Sequence, residues 1–278
     1  MMNPDMPSGQ IEQLREELGL NQPLPVRYWN WLKAFLNGNW GYSILDGTPI
    51  KPLLITRIPR TLYLMGFSLL LAVAFGVVLG VVSALHQYSI TDNILTLIGI
   101  IGISLPGFFI GMVLISVFAL GLNILPTGGV GGGIGGGLGN MIPHMVLPGV
   151  ALAYRTGSEI LRFTRGSMLD ALNRDYMVLA KSKGLTLRRV IYVHGLRTAL
   201  IPVVTIILLR LPMLVGGSVI IEQVFNWPGM GTVLITSARG MDYPVVLVAA
   251  LLVGMTLLFA SLLADILLAI IDPRVRLG

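Results

Sequence analysis

Four charged residues stand inside stretches that are otherwise fit for hydrocarbon: Arg155, Glu159, Arg210 and Asp265. On insertion scales a charge at the centre of a membrane helix costs about 2.5–3.5 kcal/mol, so each is a candidate functional group. Their chemistry is ion pairing or contact with a polar solute. Arg155 and Glu159 are four apart, on one face of any helix, and are placed to pair. Arg210 has Asp265, a partner subunit or a solute as candidate partners. No acid–base pair, Ser/His set or HExxH spacing falls at comparable depth, and His144 stands alone near the end of an apolar run. With no cysteine there is neither a disulfide nor a thiolate metal site, and metal-ligand spacing is missing elsewhere. A second concentration of chemistry is 174-RDYMVLAKSKGLTLRRVIYVHGLR-197, a basic stretch between apolar runs with Gly184 at its centre.

The elements that position these groups follow from composition. The chain has 278 residues, of which 54% are hydrophobic and 12% charged, with mean hydropathy +0.82. Soluble domains carry about 25% charged residues. The pattern predicts an all-α integral membrane protein with five spans, at residues 61–85, 94–122, 141–161, 198–221 and 244–271. The second is long enough to span with tilt or with a kink at Pro106. Residues 162–197 carry eight Lys/Arg against Asp170 and Asp175, which places that loop and the C-terminal tail in the cytoplasm and residues 1–60 outside. The net charge of +6 follows the same rule, so nucleic acid is not an expected partner and membrane lipid is.

Residues 1–60 read as an extracytoplasmic or interfacial segment and 61–278 as the membrane domain. IEQLREELGL reads as a short helix. Tyr28, Trp29, Trp31 and Trp40 suit either a headgroup-level belt or a small packed cap. The loop 128-GGVGGGIGGGLG-139 reads as a flexible linker, because a phosphate cradle needs a flanking strand and helix together with Lys and Ser/Thr. No Walker A pattern occurs, so nucleotide hydrolysis is not expected of this chain.

The basic loop resembles the signature of ABC importer permeases: Glu-Ala-Ala, three residues, Gly, nine residues, Ile-x-Leu-Pro. Ala180, Gly184 and Leu196 keep it, while Val178, Leu179, His194 and Arg197 depart from it. The likeness is closer to the di- and oligopeptide and nickel branch, which reads D-Y-x-x-x-A-x-x-K-G-L, then R-R-V and H-x-L-R-x-A-L-I-P. Asp175, Tyr176, Ala180, Lys183, Gly184, Leu185, Arg188, Arg189, Val190, His194 and the run through Pro202 match it. IEQVFNWPGMG at 221–231, MDYPVV at 241–246 and the closing DPRVRLG are similar to further runs of that branch. Arg210 departs from it, since the branch usually carries a neutral residue there. So does the count of spans, for the family has six and begins with a helix ahead of the stretch seen here as 14-LREELGLNQP-23.

The resemblance implies a transport subunit of the bacterial or archaeal inner membrane, not an enzyme. It implies a coupling helix, Asp175 to Arg188, that docks on an ATPase through Tyr176, Met177 and Ala180. Gly184→Val or Ala180→Glu is then expected to uncouple transport from hydrolysis. Its implied partners are a second permease, two ATPase subunits holding ATP and Mg, and an extracytoplasmic solute-binding protein. Arg155, Glu159 and Arg210 are candidates for the solute path. Glu222, Phe225 and Trp227 are candidates for the binding-protein side, against the alternative of a structural turn. A self-contained secondary transporter is the other class considered. It would need inverted repeats and paired acids at depth.

Overall fold

The computed structural model describes residues 21–131 and 138–271. The readings made on 1–20, on 132–137 and on the DPRVRLG tail lie outside the described residues. Nine helices follow one another among the described residues: α1 (Leu24–Leu36), α2 (Ile50–Leu85), α3 (Ile90–Ser104), α4 (Gly107–Leu114), which runs on as a π-helical turn Ile115–Gly121, α5 (Leu138–Leu172), α6 (Asp175–Ser182), α7 (Leu187–Val224) with a π-helical turn at Val190–Gly195, α8 (Met230–Arg239) and α9 (Tyr243–Ile271). Three of them, α2, α7 and α9, are long and apolar enough to cross a membrane, and the bent pair α3–α4 makes a fourth. The 35-residue α5 falls short on composition, because it carries Arg155, Glu159, Arg162, Arg165 and Asp170.

Packing fixes the direction of each rod. Gly149 faces Phe67, Gly157 faces Ala72, Gly76 faces Ile160 and Gly80 faces Thr164, so α2 and α5 run parallel. Two parallel neighbours require the chain between them to return from one end of the bundle to the other. The α3–α4 pair does so: Asp92 meets Arg165 at one end, and Gly129 N–H donates to Phe225 O at the other. From His144 to Arg165, α5 rises about 30 Å, a membrane core's thickness. By length and composition the described residues hold four spans, counting the α3–α4 pair as one; α5, expected from the sequence as a fifth over 141–161, has the length without the composition.

Two boundaries differ from expectation. The helix of the first crossing begins at Ile50, ahead of the expected span, and takes in Lys51, Arg57, Pro59 and Arg60. The second is no kinked rod: its halves meet at 111°. Leu105 is extended (ψ 138°), as the residue before a proline prefers, and Pro106 caps the next helix. Backbone freed at such a break is tolerated where protein covers it or a cavity is lined by it. Here α4 lies against α7, with Gly107 facing Ile221 and Gly111 facing Phe225.

The α2–α5 seam is closely packed. A Cβ at Gly80 would come within 2.6 Å of Thr164 Cβ and 2.7 Å of Leu161 O, and backbone cannot yield as a flexible side chain can. Small residues are how membrane helices approach closely where no hydrophobic drive joins them. Gly80→Val is expected to destabilise the bundle by about 1–3 kcal/mol. Thermal unfolding of the purified protein in detergent measures this, and an unchanged midpoint would count against the seam.

At the opposite end from α6 the aromatic segment forms a cap. Trp31, Phe35 and Trp40 stack in sequence with centroids 5.6 and 5.3 Å apart, and Tyr28 meets Trp31 tilted at 6.0 Å. Trp31 and Trp40 pack on Ile50, Leu54, Met230 and Val245. The packed-cap alternative therefore describes these two rings, while Tyr28 and Trp29 are exposed. Asp242, of the MDYPVV run, ties the cap down, accepting from Ser43 Oγ at 2.5 Å and Ile44 N–H at 3.1 Å.

Candidate functional site

At the end of the bundle opposite the aromatic cap, α5 runs into α6 after Asn173 and Arg174, and a turn at Gly184 leads to α7. Gly184 has φ +76° and open space around it. The left-handed turn that ends α6, and not crowding, requires glycine there. Asp175 opens α6, where a carboxylate favours the helix dipole. Met177 and Ala180 are buried against Val190, Leu172 and Leu185. A Cβ on Gly195 would lie 3.1 Å from the Met177 methyl and 3.4 Å from that of Met168, so α6 is wedged against the adjoining ends of α5 and α7.

This corrects the expected docking face. Met177 and Ala180 belong to the protein's own packing, so Ala180→Glu would disrupt the loop and not merely uncouple it. The exposed apolar groups of α6 are Tyr176, Val178 and Leu179, the last two 66% and 56% exposed, and Leu187 at the start of α7 is exposed too. Lys183 and Arg188 are exposed and Leu185 half-buried.

The intramembrane charges converge. Glu159, mostly buried, lies 3.6 Å from Arg155 Nε and 2.8 Å from Arg210 Nε. Arg210 thus meets α5, and not Asp265, which lies exposed on α9. Glu159 and Arg210 sit where two clefts meet. One, of about 400 Å³, is lined mainly by apolar groups on the side of the aromatic cap, with the broken backbone Pro106–Gly107 in its wall. The other, of about 520 Å³, lies on the side of α6, past Arg162, Ser167 and Asp170.

Glu222, Phe225 and Trp227 are buried and offer no surface to a partner. The structural-turn alternative describes them. The Glu222 carboxylate accepts from Thr61 Oγ1 at 2.6 Å and from the Gly231 and Thr232 N–H groups at 2.7 and 3.3 Å, capping the start of α8. Trp227 Nε1–H donates to Arg60 O at 3.1 Å. The glycine loop is also partly fixed: Gly128 O lies 2.7 Å from His144 Nδ1, and a Cβ on Gly128 would overlap Phe225 O. Of this loop residues 128–131 are described, and docked, together with 138–139, which already belong to α5.

One polar group went unflagged in the sequence. Asp92 accepts a bidentate pair from Arg165 Nε and Nη2 at 2.7 and 2.8 Å, with Ser83 Oγ at 2.5 Å and Tyr88 N–H at 2.9 Å. It fastens α2, α3 and α5 at the α6 end of the bundle. Its signal was a lone acid at the edge of an apolar run.

Residues 76–277 match the family described as binding-protein-dependent transport system inner membrane component. The chain is 41% identical over 278 residues to the oligopeptide transport system permease protein AppB of Bacillus subtilis, covering 99% of this chain and 88% of that one. It is 38% identical over 266 residues to the glutathione transport system permease protein GsiC of Pectobacterium atrosepticum, covering 96% and 84%. In fold it is similar to the MetNI methionine ABC transporter in inward-facing conformations (TM-score 0.62, 16% identity, 79% of this chain and 96% of that one). An amino acid ABC transporter with histidines is also similar (TM-score 0.56, 17% identity, 78% and 93%).

Proposed function

From the premise that this chain belongs to the family of binding-protein-dependent transport system inner membrane components, we propose that it forms one wall of a translocation path and takes its drive through α6. It is a permease subunit of an ABC importer for peptides or related small solutes. This favours the importer over a self-contained secondary transporter. A second permease supplies the facing wall. Two ATPase subunits bind ATP and Mg and engage α6 from the cytoplasm, where the C-terminus also lies. A solute-binding protein delivers cargo at the outer end.

One observation carries the coupling role. Met177 is wedged against both α5 and α7, the two helices that hold Glu159 and Arg210. A push on the outward face of α6 therefore reaches the groove through direct contacts. The chain has no cysteine, so Val178→Cys supplies a single label site. A membrane-impermeant maleimide is expected to modify it in inside-out vesicles only, and a short cross-linker to join it to an ATPase subunit. Labelling from the exterior alone would overturn the assignment.

A further inference from the structure

We infer that the Arg155–Glu159–Arg210 cluster is a recognition point for a carboxylate on the passing solute, for a peptide its C-terminal end; this rests on reading the groove as the translocation path. Two guanidiniums share one carboxylate, so the cluster carries a net charge of +1 where the two clefts meet. A strut between α5 and α7 needs one arginine, and the second is in excess. Neither arginine is fully used. Arg155 is 62% exposed, and its contact at 3.6 Å is too long for a good hydrogen bond. Arg210 approaches Glu159 at 2.8 Å, but its buried Nε–H is not aimed along that contact. Its Nη1 meets only the sulfur of Met213, at 3.0 Å, a weak acceptor.

A guanidinium has five donors in a planar fork that matches a carboxylate bidentately. A carboxylate entering the cluster would neutralise the excess charge and occupy the unaligned donors. The outer cleft adds an apolar wall, with Phe108, Leu152, Met213 and Ile220 above the charges. That arrangement suits a solute with an apolar body and one acidic end. A solute presenting only a cation meets like charge.

The test uses the assembled transporter in liposomes with its binding protein and internal ATP. The probes are a defined mixture of neutral tripeptides, each as free acid and as C-terminal amide, with uptake read by mass spectrometry. The quantity is the acid-to-amide uptake ratio, compared between wild type and variants. The same binding protein serves every arm, so its own preference cancels. Arg155→Gln is expected to lower the ratio about tenfold, the lower bound for a hydrogen bond to a charged group, with Arg155→Lys restoring part of it. Arg210→Gln is expected to act in the same direction. Arg155 is exposed, so its variant remains informative if Arg210→Gln folds poorly. An unchanged ratio, or acid and amide falling together, overturns the inference and leaves the cluster as a strut. Absence of ATP-dependent uptake of either form by wild type overturns the importer reading, and this inference with it.

Discussion

Glu222→Ala is expected to destabilise the outer half of the bundle by about 3–5 kcal/mol and to abolish transport. The carboxylate is fully buried and accepts from Thr61 Oγ1, Gly231 N–H and Thr232 N–H. Alanine leaves the two backbone donors at the start of α8 without an acceptor, each costing about 1–3 kcal/mol, and adds a cavity. Gly229 and Gly231 are glycine because a Cβ on either would lie 2.5 to 2.9 Å from the carboxylate atoms. Thr61 is held from both sides, since it also accepts from Met230 N–H at 2.9 Å. Losing Glu222 therefore loosens α2, α7 and α8 together. Glu222→Gln keeps the shape and one acceptor, and should fall between wild type and alanine. For a chain of this size the alanine variant should melt roughly 10 °C lower. A midpoint within about two degrees of wild type, with uptake retained, would remove the case for a structural clamp.

The second large effect lies at the other end. Val178→Asp combined with Leu179→Asp is expected to reduce ATP-driven uptake by more than about tenfold for each side chain that docks, with no change in melting. Both are exposed and apolar on a basic segment. Burial of one such group against a partner contributes about 1.5–3 kcal/mol, and aspartate removes that contribution and adds a charge to desolvate. Met177→Asp is the contrasting control. It places a charge among Val190, Leu172 and Gly195, so the loop itself loosens and melting falls. Uptake, ATPase rate and recovery of the ATPase subunit on purification are measured together. Full coupled uptake by the Val178/Leu179 double variant would sink the docking face assigned here.

Four of the five expected spans were legible because apolar length is a direct physical requirement of the bilayer, and the sequence spells it out; α5 has the length without the composition. Details within them were hidden where one signal masks another. Lys51, Arg57 and Arg60 disguised the first turns of α2, although a helix that protrudes past the membrane can carry charge freely. Leu105-Pro106 announced a disturbance, but a kink and a 111° break share that dipeptide, and only the cover that α7 gives Gly107 and Gly111 decides between them. The inward face of α6 could not be read because Met177 and Ala180 on one side and Val178 and Leu179 on the other are all apolar. Arg155 and Glu159 paired as their spacing required. The Arg210 contact to α5, and the Asp92–Arg165 bond across the bundle, depend on which helices become neighbours, and no local pattern records that.

The parallel seam of α2 and α5 has a bearing on biosynthesis. Gly76 and Gly80 find their opposite numbers, Ile160 and Thr164, only after on the order of eighty further residues have been made, a wait on the order of ten seconds at ordinary rates of translation. Until then this notched flank of α2 has lipid or the insertion machinery for company. A nascent chain stalled short of α5 should therefore expose it to whatever chaperone attends the ribosome.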